Sequence, residues 1–367
     1  MSYKAVVGAA LAAVLLSAVS VQADVFNMGP GLTSLETVRV GDPGNAPDKD
    51  YGGGQFGAVA YGYRIAKYEV TNAQYCEFLN NRAVTDTYGL YNKMMTYDGC
   101  GAIDRSGASG SYTYSVRSGC ENMPVTWVCW YDCVRFANWL QNGQGINGTG
   151  DTESGTYRIS DGGYNSGTVA VPDAATRATW TDPHWVLPSE DEWYKAAYYQ
   201  PASKGGNTES YWLYPTRSNS VPYSAQPPGS GAPLQANTAN SYKDDRQANG
   251  YDDGYAVTGS TDFSSTQNYL TNVGAYTLSS SYYGTFDQGG NVWEWNDALV
   301  SSSRGVRGGG WNGDPIGSAA SYRIDDDPAF EYRFLGFRVA SVPEPGSVAM
   351  LVGVAVTGLL FWWRKRG

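Results

Sequence analysis

From about residue 200 to residue 290 the chain is dense in Gly, Asn, Asp and Tyr and shows almost no hydrophobic periodicity. A stretch that long without regular structure stays ordered only through something besides helix or sheet pairing, such as a bound ion. The composition points the same way. The 46 glycines supply turn conformations that other residues avoid, and 29 tyrosines with 12 tryptophans supply rings to fill the space between loops. A hydrophobic share of 42% supports a sizeable core and argues against a disordered chain. The 367 residues allow one large domain or two ordinary ones. No internal repeat is evident, and the reading is one domain.

Charge and histidine content exclude whole classes of function. The chain carries 25 basic and 35 acidic side chains, a net charge of −10, with no basic cluster before its last four residues. A nucleic-acid surface needs clustered Lys and Arg, so nucleic acid is not a partner. The one histidine, His184, rules out multi-histidine zinc sites, the two-histidine iron triad and any Ser-His-Asp triad that does not use it. Between Pro183 and Trp185 it reads as a loop residue.

The two ends read as addresses. Lys4 precedes an apolar run from Ala5 to Val21, closed by Val21-Gln22-Ala23, which reads as a secretory signal peptide over residues 1–23. An N-terminal segment, 24–61, follows. At the other end, 342–367, Val342-Pro343-Glu344-Pro345-Gly346 leads into uncharged Ser347 to Trp363 and then Arg364-Lys365-Arg366. The run is just long enough to span a bilayer, with its basic end cytoplasmic. This arrangement resembles the PEP-CTERM sorting signal of Gram-negative bacteria. The resemblance implies export through the inner membrane, a transmembrane helix before processing, an exosortase-type partner, and a final place on the cell surface or in the extracellular matrix. Residues 24–341 alone hold 21 basic and 34 acidic side chains, a charge of −13.

An exported chain is free to form disulfides. Cys100 and Cys120 bracket a Gly/Ser-rich loop and are the expected pair. Such a bond is worth about 3 kcal/mol. Cys129 and Cys133, four apart on a helix, read as small core residues. A bond from Cys76 to one of them stays open, because connectivity is not readable from sequence.

Local patterns place the elements. Leu35 to Val40 reads as a strand, as does the alternating Tyr63 to Glu69. Thr71 and Gln74 form a capping box for a helix to about Asn80. Gly99 to Ser118 is a loop or hairpin. Trp127, Trp130, Tyr131, Val134, Ala137 and Leu140 fall at helical spacing over 127–141. Residues 142–180 predict a hairpin insertion. Ser189 and Glu192 cap a third helix behind Trp185-Val186-Leu187-Pro188.

Six segments carry a family resemblance: Tyr68 to Tyr75, Met123-Pro124-Val125-Thr126-Trp127, Trp185 to Trp193, Gly289-Gly290-Asn291-Val292-Trp293-Glu294-Trp295, Arg307-Gly308-Gly309-Gly310-Trp311, and Leu335-Gly336-Phe337-Arg338. In this order they resemble the formylglycine-generating enzyme, or sulfatase-modifying factor, family, over roughly Gly62 to Ala340, which places the domain at 62–341. The resemblance implies a single compact α+β domain of the C-type-lectin-like kind, low in regular structure.

Enzymes of this family oxidise a cysteine of a target sulfatase with oxygen and a copper ion held by two thiolates after the Arg-Gly-Gly segment. Soft sulfur suits Cu(I). Here the segment from Asn312 to Arg323 has no cysteine, and Gly313 stands where the first is expected. A related branch holds iron with three histidines, which one histidine does not supply. Neither copper nor iron chemistry carries over, and no catalytic residue is assigned.

The resemblance also implies calcium. One set of ligands maps to Asp287, Gly290, Val292 and Glu294, a second to Asn237, Thr238, Asp253 and Tyr255. Calcium takes oxygen ligands of these kinds. Arg307, Trp311, Arg323 and Arg338 map near the family's substrate groove. The leading expectation is an exported, non-catalytic module that binds a peptide or glycan of the extracellular matrix. The alternative is an active oxidoreductase of the family using residues not identified, with Cys129 and Cys133 the remaining sulfur route. A third reading is a structural matrix protein.

Overall fold

The computed structural model describes residues 34–49, 55–145, 150–229 and 235–344. The expected signal peptide and the run Ser347 to Trp363 with its basic tail lie outside these residues. Among the described residues no helix is long and apolar enough to cross a membrane.

Eight strands build two sheets: β1 (Thr37–Val40), β2 (Tyr63–Ala66), β3 (His184–Val186), β4 (Trp293–Val300), β5 (Ser303–Arg307), β6 (Ile324–Asp326), β7 (Leu335–Phe337) and β8 (Ala340–Val342). The first sheet runs β1-β2-β8-β3 and is antiparallel throughout. The second runs β6-β5-β4-β7, with β4 and β7 parallel. Four short two-stranded pairs decorate them, including the expected hairpins Ile103–Ser106 with Thr113–Val116 and Arg158–Gly163 with Ser166–Ala170.

The division at residue 62 does not hold. Along its whole length β1 pairs with β2, from Thr37 opposite Ala66 to Val40 opposite Tyr63. Leu35 and Val59 are core residues. The segment before residue 62 is thus part of the domain, since β2 would otherwise have an unpaired edge. At the other end β8 lies inside the first sheet and extends to Val342.

Three helices of nine to twelve residues pack against the sheets: α1 (Asn72–Arg82), α2 (Trp130–Gln141) and α3 (Glu190–Tyr198). Both expected capping boxes are present, Thr71 with Gln74 and Ser189 with Glu192. Helix α2 starts later than its hydrophobic spacing predicts. Trp127 takes a left-handed backbone, φ +61°, and its N–H donates to the Tyr332 carbonyl. Cys129 becomes the N-cap, with Asp132 reaching back to its N–H at 2.9 Å. Tyr75 and Phe78 of α1, Phe136 of α2 and Phe337 of β7 meet ring to ring at 5.3–6.4 Å and form the centre of the core.

The loop-rich stretch is ordered by its own polar side chains. The Asn240 amide donates to the Tyr269 carbonyl and to Asn291 Oδ1. The Ser224 hydroxyl reaches the carbonyls of Ser241 and Gly254. Trp311 stacks on Tyr269 at 4.8 Å and 6°. Such side-chain bonds satisfy backbone groups that sheet ladders would otherwise pair.

All five cysteines are free thiols, so the expected Cys100–Cys120 bond is not formed. Packing is the reason. Cys100 is turned into a small core with Tyr269, Leu270, Val292 and Trp311, whereas Cys120 closes a turn on Arg117. Cys129 and Cys133 are fully buried, as core residues should be.

Candidate functional site

Glu294 of β4 is the centre of the polar core. In the Trp-Glu-Trp run of this strand Glu294 and Trp295 are both fully buried. Arg338 follows β7 and meets it bidentately, at 2.6 and 2.7 Å, and both side chains are 0% exposed. Trp193 Nε1 of α3 donates to the same carboxylate at 2.8 Å. The other guanidinium hydrogens reach the carbonyls of Ala66, Lys67 and Phe286. One arginine therefore ties the first sheet to the second. Buried charges need pairing of this completeness.

The first calcium set has these partners within the chain. Glu294 carries a guanidinium on both oxygens, so its charge is already matched. Asp287 accepts from the Gly274 N–H at 2.5 Å. Gly290 has φ +91°, and a Cβ there would meet the Asn240 carbonyl at 2.5 Å, so only glycine fits the turn that leads into β4. A neighbour the sequence reading passed over is Glu69, also buried, which accepts from the Asn291 amide at 3.2 Å. Burial pushes Asp287 up to about 6 and Glu69 well above the carboxylate range, with their mutual repulsion adding to it in Glu69.

The second set is also engaged. Asn237 Oδ1 accepts from Thr216 at 2.6 Å and its amide serves the carbonyls of Ser220 and Val221. Thr238 donates its N–H to Ser279 Oγ. Asp253 caps the N–H groups of Asn249 and Gly250. The Tyr255 carbonyl takes two N–H groups, from Thr258 and Gly259. Among the described residues no three His, Cys, Asp or Glu side chains gather as a metal chelate. The side chains of both sets are hydrogen-bonded within the chain.

The groove residues have partners within the chain too. Arg307 and Arg338 are 1% and 0% exposed and Trp311 is 2%. Arg307 and the partly exposed Arg323 converge on Glu190, at 2.7–2.8 Å. The arginines thus act as internal ties.

The fold does leave some large apolar side chains partly exposed. Phe263, Ile316, Tyr322 and Phe330 are 43–50% exposed. Behind them Phe263 lies parallel to Tyr269 and Trp311, Trp293 packs on Tyr322, and Phe330, Tyr332 and Phe334 follow ring on ring. Arg333 lies over Phe263 at 5.4 Å. The Gly313 carbonyl accepts from Tyr242. Cys129 and Cys133 are 0% exposed, and burial drives both well above the ordinary thiol range. A protonated, enclosed thiol is neither a nucleophile nor a copper ligand.

Several other carboxyls are raised by burial, Asp297 to about 6, Asp132 to about 7 and Glu331 to about 8. Each binds its proton more tightly folded than unfolded, where carboxyls titrate near 4. Between those limits the folded state holds more protons, so stability falls as pH rises. Thermal melts in chelator are expected to show a midpoint several degrees higher at pH 5 than at pH 8. A midpoint that rises over this range contradicts the burial of these groups.

No curated protein matches the chain. Among solved structures, CarF superposes with a TM-score of 0.48 at 18% identity, covering 84% of this chain and 98% of that one. The Treponema denticola variable protein 1 gives 0.47 at 19%, covering 86% and 98%. PvdO from Pseudomonas aeruginosa gives 0.44 at 18%, covering 84% and 95%. Residues 57–342 match the sulfatase-modifying factor enzyme 1-like domain, and that span takes in both sheets except the edge strand β1. The mixed α/β, loop-rich fold with its C-type-lectin-like character is therefore that of a single such domain, and the chain belongs to this family.

Proposed function

We propose that this chain is an exported, non-catalytic member of its family that binds a peptide or glycan of the extracellular matrix. The observation that carries the reading is the loop after Trp311. Where the family resemblance implies a copper-binding thiol pair, this chain has Gly313 and no cysteine as far as Arg323. Cys129 and Cys133, the remaining sulfur route, are enclosed in the core. The surface does offer partly exposed rings, among them Phe263, Tyr322 and Phe330. Exposed aromatic faces stack on sugar rings and on peptide side chains with little loss of side-chain freedom. Export and anchoring rest on the residues at the two ends, with exosortase-type processing as the corresponding partner.

Two assays test the reading together. The domain, residues 24–344, is expected to oxidise no cysteine peptide in the presence of copper and oxygen. It is expected to bind isolated matrix polysaccharide or matrix peptide, and a Phe263→Ala, Phe330→Ala double variant is expected to bind at least about tenfold more weakly, as for the loss of an aromatic anchor. Formylglycine formation above a protein-free copper control rejects the non-catalytic reading. Unchanged binding by the double variant rejects the aromatic surface.

A further inference from the structure

A second group of rings lines a concave part of the surface. A cleft of about 430 Å³ opens between the loop after α1, the hairpin Ile103–Ser106 with Thr113–Val116, and the turn of the hairpin Arg158–Gly163 with Ser166–Ala170. Its wall includes Asp86, Tyr91, Lys93, Arg105, Tyr112 and Tyr164. The volume is that of a small-molecule site. Backbone bonds hold the three segments together. The N–H groups of Gly110 and Tyr112 both donate to the Val84 carbonyl, at 2.9 and 3.2 Å, and the Asn165 N–H donates to the Tyr88 carbonyl at 3.1 Å. The cleft is therefore formed before any ligand arrives.

Its cation is fixed in place. Arg105 bonds Asp86 at 3.0 Å and lies over the rings of Tyr91 and Tyr112, 4.5 and 4.3 Å from their centroids. Asp86 takes a left-handed backbone, φ +54°, which Asp tolerates, and its carbonyl accepts the Gly89 N–H at 3.3 Å. A guanidinium has five N–H donors, so Arg105, with its side chain 29% exposed, keeps donors for a ligand. Lys93 stands exposed in the same wall and is in no ion pair among the described residues. The nearby acids add little. Asp104 lies 3.6 Å from Arg117, and burial pushes Glu331, which bonds Asn92 in the wall, up to about 8. The wall thus holds two cations and one carboxylate, in a domain whose charge over residues 24–341 is −13.

Tyr164 supplies an open ring, 64% exposed. Gly89, at φ +75°, lets it lie against the loop, since a Cβ there would meet the ring at 2.5 Å. Among the described residues the wall holds no Val, Leu, Ile or Met. Rings and polar groups of this kind suit a sugar, whose C–H face stacks on an aromatic ring and whose edges take hydrogen bonds. A planar guanidinium beside an ammonium suits a carboxylate. We propose that the cleft binds a uronate residue of an acidic polysaccharide, with Arg105 and Lys93 on its carboxylate and Tyr164 stacked on its ring, while Asp86 holds Arg105 in position. None of these residues belongs to the Phe263 and Phe330 surface, and the inference does not rest on what that surface binds.

The test is calorimetric titration of the purified protein with an oligogalacturonate, and with the same oligomer after reduction of its carboxyls to alcohols. The acid form is expected to bind, and the reduced form to bind at least about tenfold more weakly, as for the loss of hydrogen bonds between charged groups. Arg105→Gln and a Lys93→Gln, Tyr164→Ala double variant are each expected to lose at least about tenfold in affinity. The double variant changes only exposed side chains, and an unchanged thermal midpoint shows that it is folded. Tyr97→Ala removes an exposed ring outside the wall and is expected to bind as wild type does. No binding by wild type, equal binding of the reduced oligomer, or full affinity in the double variant overturns the proposal. Poly-glutamate bound more tightly than the oligogalacturonate overturns it too, and assigns the cleft to acidic peptides.

Discussion

Replacing Arg338 by Met is expected to lower the unfolding free energy by about 3–5 kcal/mol, the cost of leaving a buried carboxylate without its partner. The substitution keeps a long apolar stem but removes both bonds to Glu294 and the donors to Ala66, Lys67 and Phe286. Denaturant midpoints measure the loss. A second change, Glu294→Gln, is expected to recover part of it, because the unpaired charge is then gone and Trp193 keeps an acceptor. Calcium is expected to restore nothing in Arg338→Met, since Glu294 is an ion-pair partner in this fold. Recovery with calcium would return Glu294 to the ligand role that the family resemblance implies. A loss under 1 kcal/mol would mean that the pair is not buried.

The second large effect concerns the C-terminal strand. A chain ending at Val339 is expected to lose cooperative unfolding altogether, a deficit of at least about 5 kcal/mol for a domain of ordinary stability. A chain ending at Glu344 is expected to melt like the longer one. Strand β8 lies between β2 and β3, so its removal opens two edges inside one sheet. Ala340 and Val342 are both 0% exposed. The Glu344 N–H reaches the Gly62 carbonyl, and its carboxylate pairs with Arg39 at 2.5 Å. Circular dichroism melts and protease resistance of the two truncations distinguish the outcomes. It follows that any trimming of the tail compatible with the fold leaves Val342 in place.

Local features were legible before the fold was. The capping boxes at Thr71 and Ser189 need only residues three apart, so the short-range pattern is the structure. The two hairpins followed from turn-rich composition. Helix α2 was legible in period but not in start, because its first turn is set by a bond from Trp127 to Tyr332, 205 residues away. The segment before residue 62 looked like a preamble, since a four-residue strand shows its role only beside its partner.

Charged residues divide the same way. The expectations of no nucleic-acid partner, no multi-histidine metal site and no copper pair after Trp311 rest on composition alone, because an absent side chain needs no fold to interpret. The roles of the side chains that are present were another matter. Glu294 and Arg338, or Glu190 and Arg307, are each compatible with a metal, a groove or an ion pair until the sheets set their distance. Residue type reports what an atom is able to bind. Which atoms lie within its reach, and whether water is among them, depends on long-range packing that no local spacing encodes.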